Sequence, residues 1–406
     1  MSICALITTE YPYYSGEPFC KNEIQYLAQY FDEVYIFSLT GRKKISYRDV
    51  PHNVKVVPLS CIRGVERYLV YSIVGILAIN SHLNISYRSS IYQILIEIYY
   101  RGRGTVVFNK IRRYLKKYNT NDAKMIFYSY WFTDQAYSAW RLKEYFGNRG
   151  INCRAVSRAH RYDLYWECNA TGYLPYQKEA IRYLDGVYTC SQNGKTYLTN
   201  KYGELASNIH VARLGTEDFG VADYDYEEKV LVTCSSLIPL KRVDLFARAF
   251  ALLLREVPEC QWICIGDGPE RECIESIIND YGINKNVHFY GQIKNEAVAE
   301  IYASKNVSYF CNVSETEGVP VSIMEAMSFS IPCIATDVGG SGELVNNDNG
   351  YLIPDNVTDK DLAIVLRDAL TLQKSEYVVK RDITRKTWEQ LASAKDNYTK
   401  WVEIIK

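Results

Sequence analysis

Short apolar runs alternate with helix-period stretches along most of the chain, and this rhythm constrains the fold more than any other feature. Residues 2–8, 33–39, 54–58, 124–130, 153–160, 186–190 and 208–213 read as strands. A second series stands at 230–237, 261–265, 287–290, 307–311, 331–336 and 351–353. Helical patterns lie between many of them, from Glu17, Thr133, Ser191 and Lys241 onward. Strands that alternate with helices, and that are apolar on both faces, imply parallel sheets covered on both sides. Two such series in 406 residues imply two α/β domains rather than one core. The polar, acidic stretch 221–229 marks the join, giving an N-terminal domain over 1–220 and a second over 221–385.

The stretch from Ser314 to Glu343 carries the chemistry. Glu317 and Glu325 are separated by seven residues, and Gly318, Val319 and Pro320 suit a tight loop opening a helix. Glu325 then falls about two turns into that helix, on the face of its start. A helix N-terminus offers free amides and partial positive charge to a diphosphate. Carboxylates repel phosphate but accept hydrogen bonds from sugar and ribose hydroxyls. An amphipathic helix with two solvated glutamates would show the same spacing. The residues after Glu325 are more specific: Ala326-Met327, the strand at 331–336, then Gly339, Gly340 and Glu343.

This stretch resembles the donor-binding signature of GT-B glycosyltransferases, in particular the retaining GT4 family (glycosyl transferases group 1), and is similar to its bacterial polysaccharide-biosynthesis members. The resemblance implies a GT-B α/β fold, two Rossmann-like domains facing a cleft, with donor in the second and acceptor in the first. It implies that Glu317 meets the donor sugar and Glu325 the ribose. Family strands ending in Gly-Arg-Leu place an Arg and a following Lys on the diphosphate. Here Lys241 keeps the Lys position, Ser236 stands at the Arg position and Arg242 replaces a Gly, where it would either restore the lost cation or point to solvent. Gly266-Asp267-Gly268-Pro269 fits the donor cleft, and Ile293 falls in the loop that holds the base in relatives. His160 and Asp163 match a strand-end His near the reacting centre. The first loop has Ser15-Gly16-Glu17 where many members have Gly-Gly, so Gly16 is its remaining cleft candidate. Residues 215–220 resemble the interdomain turn, and 386–406 the last helix, which relatives return to the first domain.

The expected activity is thus a retaining hexosyltransferase using a nucleotide sugar, UDP-linked, with a glycan or lipid-linked acceptor in cell-surface polysaccharide synthesis. The donor is a co-substrate; no cofactor is expected, and no Asp-x-Asp stands where a metal would be needed. The rivals are a catalytically inactive nucleotide-sugar-binding subunit and a GT-B phosphorylase or epimerase.

Charge narrows the partners. Basic and acidic residues balance at 47 each, which argues against a nucleic-acid partner. Residues 61–120 break the balance with ten basic residues against Glu66 and Glu97. Such a segment, rich in Tyr, Leu and Ile, suits an anionic membrane surface. The run near 69–79 is far short of the roughly 20 residues that span a bilayer. Twelve scattered cysteines without a Cys-x-x-C pair read as small buried hydrophobes in a reducing compartment. The chain enters a strand at once, with no secretory leader pattern. The expected location is cytoplasmic, peripheral at the inner face of the cell membrane, so the Asn84 and Asn312 triplets are chance matches to glycosylation sites.

Overall fold

The computed structural model describes residues 1–14, 16–43, 45, 47–78, 90–116, 123–169 and 171–406. Ser15, Asn84, Arg88 and Lys117 lie outside these residues. Two compact units emerge: unit 1 is Met1–Ala212 with Tyr398–Lys406, and unit 2 is Arg213–Asn397.

Unit 1 contains β1 (Ser2–Thr8), α1 (Cys20–Tyr30), β2 (Glu33–Ser38), β3 (Val54–Pro58), α2 (Glu66–Leu77), α3 (Ile91–Leu115), β4 (Lys124–Ser129), α4 (Asp134–Gly147), β5 (Asn152–Ala159), α5 (Gln177–Tyr183), β6 (Gly186–Thr189), α6 (Gln192–Lys201) and β7 (Ile209–Val211). The described strands form one parallel sheet in the order β3-β2-β1-β4-β5-β6-β7. The order reverses between β1 and β4, so the loops after these strands diverge at the carboxyl edge, where α/β sheets bind ligands. The burial pattern explains the unbroken apolar strands: five consecutive residues of β4, Met125–Ser129, are buried. The expected N-cap at Ser191 is present, its hydroxyl accepting from the Gly194 amide at 3.0 Å.

Unit 2 contains β8 (Val230–Cys234), α7 (Val243–Leu253), β9 (Gln261–Ile265), α8 (Arg271–Asp280), β10 (Val287–Gly291), α9 (Asn295–Ser304), β11 (Tyr309–Asn312), α10 (Val321–Ser328), β12 (Cys333–Thr336), α11 (Ser341–Leu344), β13 (Gly350–Ile353), α12 (Asp359–Leu370), α13 (Lys374–Leu391) and the start of α14 (Ala394–Ile405). Its described strands form a second parallel sheet, β10-β9-β8-β11-β12-β13, with the reversal between β8 and β11. The core joins Phe246 and Phe250 of α7 and Trp262 of β9 to Leu362 and Leu366 of α12.

The helical pattern at the C-terminus is not one helix. It breaks at Ala392–Ser393, where Thr216 inserts: the Thr216 amide donates to Ala392 O and the Ala394 amide to Thr216 O. The indole of Trp388 also donates to the Thr216 hydroxyl at 2.8 Å. In unit 1, Trp401 of α14 packs on Tyr128 and on the buried Arg158 guanidinium. Arg158 in turn donates to the Tyr128 hydroxyl and to Ala212 O and pairs with the buried Glu23. No described helix is long and apolar enough to cross a membrane.

Candidate functional site

In unit 2 the reversal between β8 and β11 collects most of the residues singled out in the sequence. The loop leaving β11 places the Glu317 carboxylate among three donors. Its Oε1 accepts from Lys241 Nζ at 2.5 Å, from Ser314 Oγ at 2.7 Å and from Asn312 Nδ2 at 3.2 Å. Glu317 is buried, whereas Lys241 keeps part of its side chain open. Lys241 ends a single 3-10 turn, Pro239–Lys241, and the neighbouring Leu240 O accepts from the Glu315 amide at 2.9 Å, tying the two loops together. A cation and a carboxylate from opposite sides of the reversal thus meet at one point. Charge that develops on a phosphate there would find the ammonium within a side-chain rotation.

Backbone fit explains the glycines. Gly266 has φ +127°, and a Cβ there would lie 1.8 Å from Ser235 O. The loop after β9 therefore lies directly on the loop after β8, and the Leu237 amide donates to Asp267 O at 2.9 Å. Gly268 comes next but one, its amide on the Asp267 carboxylate at 2.8 Å. Gly339 has φ +56°, and its Cβ would meet Glu317 O at 1.9 Å. The Gly340 amide donates to Gly318 O at 2.8 Å. The Gly-Gly loop thus braces the backbone of Glu317, while Glu343 pairs with Arg213 at 2.7 Å.

Helix α10 begins at Val321, with the buried Pro320 as its N-cap. Glu325 therefore lies little more than one turn into the helix, not two as its sequence position suggests, because Gly318, Val319 and Pro320 are all loop. Gly318 and Val319 are half-buried beside the helix start, whose first amides have no intrahelical acceptor. Burial pushes the Glu325 carboxyl up from its ordinary value to about 7. Asn295 Nδ2 reaches its Oε1 at 3.4 Å from the start of α9, just after the half-buried Ile293. The Cys234 thiol is pushed up to about 12, by burial first and by the Glu325 charge second.

Two expectations change. Arg242 does not supply the cation missing at Ser236. It sits in the left-handed region, φ 48°, ψ 36°, as the N-cap of α7. Its guanidinium donates to Val313 O at 2.7 Å, Asp355 O at 2.6 Å and Ser314 O at 3.3 Å. Those carbonyls lie after β11 and β13, so Arg242 braces the loop that carries Glu317. Ser236 is exposed between β8 and the 3-10 turn, with its carbonyl accepting from the Ile238 amide. Asn312 and Ser314 went unrecognised as site residues. Their signal was present: two polar residues closing an apolar, buried strand.

In unit 1 the loop after β1 and the ends of β4 and β5 form a second cluster. Glu17 is buried with φ 52°. Its carboxylate accepts from the consecutive amides of Thr9 (2.7 Å), Glu10 (2.8 Å) and Tyr11 (2.6 Å), and from the Trp131 indole. Successive amides turned inward make an anion-binding concavity, and here the chain's own carboxylate fills it. Gly16 O accepts from Arg48 at 2.5 Å. The buried Asp163 carboxylate accepts from the amides of His160 (2.9 Å) and Phe132 (2.7 Å). The His160 imidazole stands 3.8 Å from that carboxylate, between the rings of Tyr130 and Trp131. Burial alone would lower its pKa, but the Cys190 sulfur and Asp163 outweigh this and raise it to about 10.

Residues 216–385 match the family described as Glycosyl transferases group 1. The match to this glycosyltransferase family covers these residues, less than half of the chain. Among curated relatives, N-acetyl-alpha-D-glucosaminyl L-malate synthase of Bacillus anthracis is 33% identical over 153 residues, which is 37% of this chain and 38% of the relative. The chain's matches span about a quarter to a half of the length of the first curated relatives, 25% to 47%. Two solved structures are matched over nearly their whole length. S. aureus TarM, solved with fondaparinux, alpha-GlcNAc-glycerol and UDP, gives a TM-score of 0.68 at 14% identity and full coverage of both chains. Anabaena HepE with UDP and glucose gives 0.68 at 16%, covering 99% and 98%. At these identities the structures show the fold, which is GT-B. The group 1 domain accordingly contains Lys241, Glu317 and Glu325; the Glu17 and His160 cluster precedes its first matched residue.

Proposed function

We propose that this chain is a retaining hexosyltransferase of the GT4 type. It moves a sugar from a nucleotide-sugar donor, UDP-linked, to a glycan or lipid-linked acceptor, in cell-surface polysaccharide synthesis at the cytoplasmic face of a membrane. The observation that carries this reading is the Lys241–Glu317 pair at 2.5 Å, placed by the strand reversal of the group 1 domain. The UDP bound in the TarM and HepE structures favours the uridine nucleotide.

Departure of a nucleoside diphosphate leaves growing negative charge on the phosphates and an oxocarbenium-like sugar. Lys241 and the first amides of α10 neutralise the former. Glu317, held by Ser314 and Asn312, can release Lys241 and accept from donor-sugar hydroxyls instead. Glu325 accepts from the ribose. His160, drawn toward the cationic form, contacts the donor sugar near the reacting centre. No metal is invoked, because the chain's own cation and helix terminus carry the charge. Incubation with a panel of nucleotide sugars tests the reading: one of them should raise the melting temperature, as a ligand of the native state must, and release free nucleoside diphosphate in the presence of acceptor glycan. No shift with any UDP-, GDP- or ADP-sugar would overturn it.

The exposed Ser236 and the fully engaged Arg242 favour a second reading, a nucleotide-sugar-binding subunit without turnover. Donor binding with no donor hydrolysis over a long incubation would select it.

A further inference from the structure

Glu317 is a buried anion served by a single cation. Among the described residues its one ion pair is with Lys241, whose Nζ lies 2.5 Å from Oε1. The lysine side chain is 22% exposed and that of the glutamate 10%. Both backbones are fixed. Lys241 ends the 3-10 turn that Leu240 O ties to the Glu315 amide, and the Gly339 loop lies directly on Glu317 O. Partners are therefore exchanged by side-chain rotation, and the more open Lys241 is the group that moves.

The two candidates for a second cation do not supply one. Ser236 stands where the resemblance calls for an arginine, and it carries no charge. The Arg242 guanidinium is bound to the carbonyls of Val313, Ser314 and Asp355. The other donors to Glu317 Oε1, Ser314 Oγ at 2.7 Å and Asn312 Nδ2 at 3.2 Å, are neutral. When a diphosphate arrives, one ammonium has two anions to serve. Its move to the phosphate leaves a buried carboxylate with neutral donors only, and a buried charge that loses its partner is strongly unfavourable. A nucleotide sugar makes good the loss, because its sugar hydroxyls donate to Glu317. A nucleoside diphosphate without the sugar offers Glu317 nothing, since its ribose belongs to Glu325 in the same reading.

We propose that the Lys241–Glu317 pair is a latch that discriminates the intact nucleotide sugar from the free nucleoside diphosphate. Only a ligand that gives the ammonium a phosphate and the carboxylate a hydroxyl opens it without loss of partners. The inference rests on the donor-site reading above and adds to it a reason for the product to leave. Ser314 and Asn312 are positioning residues in the latch, since they set how far Glu317 depends on Lys241.

Calorimetric titration of the full chain with UDP and with a panel of UDP-sugars tests it. Wild type should bind the best of the UDP-sugars at least about tenfold more tightly than UDP, the usual contribution of a hydrogen bond to a charged group. Glu317→Gln needs no cation, and its side-chain carbonyl still accepts from Ser314 and Asn312. Lys241 is then free, so UDP should bind this variant at least about fivefold more tightly than it binds wild type, and the gap to the UDP-sugar should shrink below about threefold. Ser314→Ala should act the other way. Glu317 loses a neutral donor and depends more on Lys241, so UDP affinity should fall at least about threefold while the UDP-sugar loses less. A merely structural role for Ser314 would weaken both ligands alike. Melting curves without ligand check that the variants fold, and the wild-type comparison needs no variant. Equal affinity of wild type for UDP and every UDP-sugar overturns the latch. So does UDP affinity that is unchanged or lower in Glu317→Gln, or an equal loss of both ligands in Ser314→Ala. Each of these outcomes leaves the donor-site reading standing, because UDP still binds. Absence of binding by UDP and by every UDP-sugar overturns the uridine-donor reading itself, and the latch with it.

Discussion

Two glutamates occupy comparable places in the two units. Glu17 lies in the loop after β1, beside the strand reversal of unit 1, and Glu317 in the loop after β11, beside that of unit 2. Both are buried carboxylates with several donors. Their donors differ in kind. Glu17 is held by three consecutive backbone amides and an indole, which cannot leave without unfolding the loop. Glu317 is held by three side chains, one of them the partly open Lys241, and each can rotate away. The first arrangement fixes a loop; the second can exchange partners with a ligand. Burial and hydrogen-bond number alone do not separate a structural carboxylate from a functional one. The mobility of the donors does.

The largest effect expected from this contrast is on folding. Glu17→Ala leaves three inward amides without an acceptor and should destabilise unit 1 by about 4 kcal/mol, since bonds to a charged group are worth roughly 1.5–3 kcal/mol each and are not additive. Urea unfolding measures it, and a loss below about 1 kcal/mol would mean the amides find other partners and the contrast fails.

Lys241→Ala should instead leave the fold intact, because Glu317 keeps Ser314 and Asn312. Turnover of the donor should fall about a hundredfold or more, as one lost charge-stabilising donor costs roughly 3 kcal/mol of barrier. Near-normal kinetics in the folded variant would remove Lys241 from the chemistry.

Glu325 sharpens the comparison through pH. Its carboxyl is raised to about 7 by burial, above the ordinary 4.5 of the unfolded chain. The folded state therefore holds the proton where the unfolded state has lost it. Its contribution to stability is fully present below about pH 4.5 and is lost as pH rises to 7. Wild type should lose on the order of 1–2 kcal/mol relative to Glu325→Gln across that window, discounted for partial exposure. Parallel pH profiles for the two proteins would refute the shift. At about pH 8, above that window, Glu325→Ala should also bind UDP more weakly by calorimetry; equal affinity would remove its ribose role.

The smallest effect belongs to Arg242. As a brace on backbone carbonyls, Arg242→Met should cost about 1 kcal/mol of stability, with turnover within about threefold of wild type. A large loss of turnover with unchanged stability would make it the missing cation after all.

The sequence by itself determined two parallel α/β sheets, because strands buried on both faces must be apolar throughout and leave an unmistakable pattern of short runs. It also determined the Glu317–Glu325 spacing, the glycines of the surrounding loops and the N-cap at Ser191, since each depends on a few neighbouring residues. Only the tertiary structure decided which polar groups meet. Lys241 and Glu317 lie 76 residues apart, and nothing local says that they touch. Arg242 looked available until three carbonyls from two other loops took its nitrogens. Asn312 resembled a chance triplet until its side chain reached Glu317. The ten basic residues of 61–120 looked like a charged surface, yet folding buries or pairs several of them and leaves an apolar stripe outside. A sequence records how many charges a segment carries, but their exposure depends on which neighbours desolvate or neutralise them, and those neighbours come from elsewhere in the chain.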